Sequence, residues 1–196
     1  MAPTGHQINI LRRRLQEITD AAPIDVPIAT HPRLIEEARK IFPHTIIPIE
    51  HQTSLHFPRL DNCGSYAMGF SNWSEFSDLH ETGYLDYGRK IAADRTFLEW
   101  LIRKRIIARR TVQPPNIGDF VAYFNGKAGW HIGRLICGDR VRSKWGVGLV
   151  YEHGLKEVPI SYGRKISYYS GLADQHARDA FLQYAAVSGV HISDGR

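Results

Sequence analysis

Cysteine and methionine are scarce in this sequence, with two of each in 196 residues. Two cysteines, Cys63 and Cys137, exclude a disulfide-stapled scaffold, although a single bridge between them stays open. The two are far apart, and the ten histidines show no HExxH pattern, so neither metal nor cofactor is expected. No hydrophobic run is long enough to span a membrane. The opening residues, MAPTGHQINILRRRLQ, lack an apolar stretch of signal-peptide length. The chain is therefore expected to be cytoplasmic as synthesised, leaving the cell only through a dedicated secretion system or by lysis. Internal repeats and low-complexity tracts are absent as well. Lys and Arg number 25 against 20 Asp and Glu, a net charge of +5. That excess suits an anionic polymer such as cell wall or nucleic acid, but it is common in proteins that bind neither.

What is present divides the chain by period. Ile8, Leu11, Leu15 and Ile18 share one helical face, with Arg12, Arg13 and Arg14 on the polar side. A second helix follows in THPRLIEEARKIF, with Pro32 in its first turn and Leu34, Ile35, Ala38 and Ile41 as its stripe. HTIIPIE reads as a short edge strand, because Pro48 cannot serve a central one. SNWSEFSDLHETGYLDYGRK reads as a loop or short helices. DRTFLEWLIRKRI is a helix with Phe97, Trp100, Leu101 and Arg105 at helical spacing. After QPPNIG the period becomes that of strands: DFVAYF, WHIGRLI, DRVRSKW, GLVYE and RKISYY, separated by turn signals. ADQHARDAFLQYAAVSG returns to helix. Helices followed by a consecutive antiparallel sheet define an α+β fold. Residues 1–50 would form a helical N-terminal extension, and residues 51–196 the main domain with a C-terminal helix.

The chemistry-bearing stretch is RLDNCGSYAMGF, residues 59–70. Asp61, Asn62 and Gly64 favour a turn or helix start, which places Cys63 in a first helical turn. There the helix dipole favours thiolate. A thiol nucleophile also needs a base and a polar group that holds the base. His6, His31, His44, His176 and His191 lie in polar or terminal contexts that read as solvated. His51 and His56 flank the cysteine stretch as candidates to line a cleft. His131 opens an apolar strand directly after the turn NGKAG.

Together, DNCGSYAMGF and NIGDFVAYFNGKAGWHIGRLICGDRV resemble the NlpC/P60 superfamily of papain-like cysteine peptidases and amidases, over roughly residues 59–170. The resemblance makes Cys63 the nucleophile, on a helix packed against an antiparallel sheet. It makes His131, in HIGRLI, the base, and IGDFVAYF the strand that begins Gly-Asp. Three features depart from the family pattern: Asp61 stands one residue early, Asn62 directly precedes the cysteine, and Gly64 and Ser65 are in swapped order. For the third catalytic position, gapless alignment from His131 points to Ser143. A two-residue Gly138-Asp139 turn would pair Cys137 with Arg140 and Gly133 with Lys144. Ser143 would then point away from His131, so His153 is the expected orienting group.

The resemblance implies a hydrolase that cleaves an amide bond, with a peptidoglycan stem peptide as default substrate. For an exported toxin, a cognate inhibitor would be the matching partner. Three alternatives stay open. One is a catalytically silent interaction module of the same fold, and another is an acyltransferase of that fold. The third is a nucleic-acid-binding protein, suggested by Arg103, Lys104, Arg105, Arg109 and Arg110. A solvated helix face explains that basic run more simply.

Overall fold

The computed structural model of the chain describes residues 4–20, 28–55, 60–87, 91–111, 115–126, 129–146 and 148–190. Among these are six α-helices and one antiparallel sheet. Helices α1 (Gly5–Asp20) and α2 (His31–Arg39) come first, followed by strand β1 (Ile47–Ile49). Then come α3 (Cys63–Ala67), α4 (Ser74–Tyr87) and α5 (Arg95–Arg103). The sheet-forming half holds β2 (Arg109–Arg110), β3 (Phe120–Asn125), β4 (Gly129–Cys137), β5 (Arg140–Lys144), β6 (Val150–Gly154) and β7 (Lys165–Tyr169). Helix α6 (Asp174–Val187) closes the described chain. The seven strands lie in the order β1-β6-β5-β4-β3-β7-β2. Strands β3 to β6 form the expected meander, but β7 leaves it by crossing over to pair with β3 instead of β6, and Pro48 sits on an edge strand that pairs only with β6.

Two layers of helix cover the two faces of this sheet. On one face, Phe120, Ala122 and Ile132 pack with residues of α3, α4, α5 and α6. An aromatic cluster of Phe70, Trp73, Phe76, Phe97 and Phe181 forms the centre of that layer. It also explains why residues 74–87 wind into one full helix where the sequence suggested a loop or short helices. Phe76 and Leu79 are anchored in a core whose other members are distant in sequence. On the opposite face, Tyr123, Leu135 and Val141 pack with Val158, while Leu11, Leu15, Ile18 and Ile35 meet Trp145 and Tyr151.

Three side chains read as polar surface are buried. Arg12 enters the core from α1 and donates to the carbonyls of Val158 and Gly163. His31 and His44 are buried too, His44 bonding the Ile35 carbonyl at 2.9 Å. Burial lowers both imidazoles below their ordinary value. Local sequence could not report this, since the burying partners lie on other elements. Among the described residues, no helix is long and apolar enough to cross a membrane.

Candidate functional site

Helix α3 is only five residues long, so its start depends on its cap. Asn62 accepts from the amides of Gly64 (2.8 Å) and Ser65 (3.3 Å). Ser65 returns the bond, its hydroxyl accepting from the Asn62 amide at 2.8 Å and donating to the Leu60 carbonyl at 2.6 Å. This reciprocal cap accounts for Asn directly before the cysteine and for Ser two residues after it. Gly64 is equally constrained: a Cβ there would lie 1.7 Å from the Ala93 carbonyl oxygen. The swapped order of Gly64 and Ser65 therefore follows from the passage of residues 91–93 across the helix start.

Cys63 and Cys137 are both free thiols, so the chain holds no bridge between them. Cys63 is half-buried and packs against the α3-side core, with the backbone amide of Ile132 directed at its sulfur. Burial pushes the thiol up to about 11, and the amides of Ile132, Gly64 and Cys63 itself only partly oppose this. The sequence suggested the reverse, a thiol lowered by a helix end. Desolvation wins because a helix of one turn carries little of the macrodipole.

The second group of residues lies beside β4, β5 and β6. Ile132 faces α3, so alternation along β4 turns His131 to the other face. There the imidazole stacks on Tyr162 with ring centroids 4.0 Å apart, and it is 1 % exposed. Its Nε2 lies 2.9 Å from Ser143 Oγ, and the same oxygen lies 2.8 Å from His153 Nε2. His153 Nδ1 in turn lies 2.9 Å from the Gly154 carbonyl oxygen. That carbonyl can only accept, and this fixes every proton in the chain. His153 donates from Nδ1 to Gly154, so its Nε2 must accept. Ser143 donates to that nitrogen, so its oxygen accepts from His131 Nε2–H. His131 is left with an unprotonated Nδ1. Burial drives both rings toward neutrality, His131 well below its ordinary value and His153 down to about 4.

Ser143 reaches His131 because the β4–β5 hairpin departs from simple register. Cys137 pairs with Arg140 across the two-residue turn, as the sequence suggested. The register then slips by one at a bulge between Leu135 and Cys137, so Leu135 pairs with Val141 and Arg134 with Arg142. Gly133 thereby comes opposite Ser143 instead of Lys144, and a Cβ on Gly133 would lie 2.7 Å from that of Ser143. The bulge puts Ser143 on the His131 face. Ser143 contacts His131 directly, and His153 stands one hydrogen bond further along.

The structure thus gathers His131, Ser143 and His153 into one chain. Cys63 adjoins it through the Ile132 amide and through Tyr162, whose phenol feels the charge of the Cys63 thiolate. No hydrogen bond joins Cys63 to His131. Two residues outside the candidate set also stand near the α3 start. Asp61 is buried and accepts from Ser71 Oγ at 2.7 Å, while His51 Nε2 lies 2.8 Å and Lys144 Nζ 3.3 Å from its carboxylate. The clue in sequence was His51 flanking the cysteine stretch. Its pairing with Asp61 needed the fold, and His56 lies outside the described residues. Among the described residues, no three His, Cys, Asp or Glu side chains come together as a metal site.

No family model, curated protein or solved structure matches this chain.

Proposed function

We propose that the chain is a papain-like cysteine hydrolase of NlpC/P60 type that cleaves an amide bond. The observation that carries this reading is the directional chain Gly154–His153–Ser143–His131, which leaves His131 an unprotonated imidazole nitrogen next in sequence to Ile132, whose backbone amide is directed at the Cys63 sulfur. At rest the pair is neutral, thiol with imidazole, since burial disfavours charge on both. His131 therefore acts as a general base during attack and is not held as one half of a resting ion pair.

Because His131 projects from the opposite face of β4, proton transfer from Cys63 to Nδ1 requires bridging water or a local shift of β4. The sulfur attacks the carbonyl while the Ile132 amide stabilises its developing charge. The Cys63 amide, at the helix start, supplies one oxyanion donor. The new imidazolium donates through Ser143 toward His153 and then protonates the leaving amine; water, deprotonated by His131, next cleaves the thioester, releasing the carboxylate and returning Cys63 as the thiol. A cell-wall stem peptide is the substrate the resemblance favours. A second reading, a silent module of the same fold, draws on the missing Cys63–His131 hydrogen bond.

Incubating purified cell-wall peptides with wild type and with Cys63→Ala, followed by mass spectrometry of the products, separates the two readings. The hydrolase reading expects fragments that carry one added water and vanish with Cys63→Ala. Identical product profiles from the two proteins would discard it in favour of the silent module.

A further inference from the structure

A groove of about 680 Å³ lies on the α3 face of the sheet, away from His131. One wall is apolar, built from Ile136 and Ile117, the latter 74 % exposed although it is a large hydrophobic side chain. The other wall carries three guanidinium groups, those of Arg134, Arg142 and Arg178, against one lining carboxylate, Asp174.

The three arginines are not equivalent. Arg134 is committed to the carbonyls of Ala67 and Leu172 and to Asp174. Arg142 is paired with Glu152 at 2.6 Å and bonds the Tyr66 phenol. Arg178 lies over the ring of Trp73 at 5.7 Å, and its Nε is shielded from water with no hydrogen-bond partner. Its terminal nitrogens carry no hydrogen bond or ion pair among the described residues, so they are the groups a ligand in the groove would meet.

We propose that this groove binds the free C-terminus of a peptide, with Arg178 holding the terminal carboxylate and the apolar wall holding the last side chain. One uncommitted guanidinium matches one carboxylate by fork pairing. A phosphate dianion would call for several free cations, and two of the three arginines here are already engaged. The apolar wall adds a demand for a hydrophobic body next to the charge, which a peptide end meets and a bare ion does not. The proposal asserts binding alone and stands apart from the Cys63 chemistry.

The test is calorimetric titration of the full chain carrying Cys63→Ala, which removes any turnover from the signal. The probes are two N-acetylated tetrapeptide pools ending in Leu or Phe, one with a free carboxylate and one amidated. The acid pool should bind, and the amidated pool should bind at least about tenfold more weakly. Arg178→Gln should weaken the acid pool by a similar factor. Ile117→Asp, an exposed change that places a like charge beside the ligand, should do the same with circular dichroism unchanged. Equal affinity for both pools, no binding of the acid pool, or unchanged affinity in a folded Ile117→Asp chain would overturn the proposal. So would binding of inorganic phosphate without binding of the acid pool.

Discussion

At the level of single residues, burial sets the chemistry of this protein more than charge does. Cys63, raised to about 11, should be a slow nucleophile toward small reagents at neutral pH. Iodoacetamide at pH about 7 is expected to modify the exposed Cys137 first, with Cys63 catching up only as pH rises; intact-mass analysis of a pH series checks this. Among the described residues, Ser143 is the partner of both histidine Nε2 atoms. Ser143→Ala should therefore cost about 1–3 kcal/mol in urea unfolding, since it leaves two buried ring nitrogens unpaired. If the hydrolase reading holds, the same change should lower turnover on the order of 100-fold, whereas Cys63→Ala abolishes it. The histidines also set an acid limit. His153 falls from 6.5 in an open chain to about 4 when folded, so below pH 6.5 the unfolded chain binds a proton that the folded one refuses. Stability is full above pH 6.5 and declines as pH falls toward 4, by about 3 kcal/mol from this residue alone. Buried His131, His31 and His44 shift in the same direction and steepen the decline. Chemical denaturation at pH 7 and pH 5 measures it, and equal midpoints would contradict the neutral buried pair.

At the level of elements, periodicity revealed most of the segments and little of their relation. The α1 stripe of Leu11, Leu15 and Ile18, the Asp94-capped α5, and the five segments from β3 to β7 could be read directly, because each carries its own burial pattern. What stayed hidden was decided by contacts distant in sequence. Helix α4 depends on Phe181 across the core, and Arg12 depends on carbonyls in the loop after β6. The candidate site divides in the same way. Cys63 at a helix start and His131 on a strand followed from motif and turn chemistry. The Ser143 contact did not, because nothing in the sequence reports the register slip before Cys137. Helix α3 itself is sensitive to its smallest member. Gly64→Ala drives a methyl group into the Ala93 carbonyl, backbone that cannot swing aside, and should cost about 3 kcal/mol or more. A lowered melting temperature is the readout, and an unchanged one would mean that residues 91–93 yield freely.

At the level of the whole molecule, the sheet separates a thiol-bearing helical layer from a layer that keeps two histidines dry. The second layer is largely the N-terminal helices, whose Leu11, Leu15, Ile18 and Ile35 cover Trp145 and Tyr151. Deleting residues 1–46 should expose that face and yield a chain that binds a hydrophobic dye and lacks sharp near-ultraviolet dichroism. A truncated protein with native dichroism would show that residues 51–196 stand alone. The bulge before Cys137 has a consequence for the whole architecture that is best put as parity. Side chains of β5 and β6 are assigned to one layer or the other by whether the residue count through the β4–β5 hairpin is odd or even. A single-residue insertion or deletion there would hand Arg142 and Lys144 to the dry layer and Ser143 to the thiol-bearing one. A change of two would leave every assignment as it stands. Descendants of this sequence can thus lengthen or shorten that hairpin only in even steps without dismantling the histidine chain.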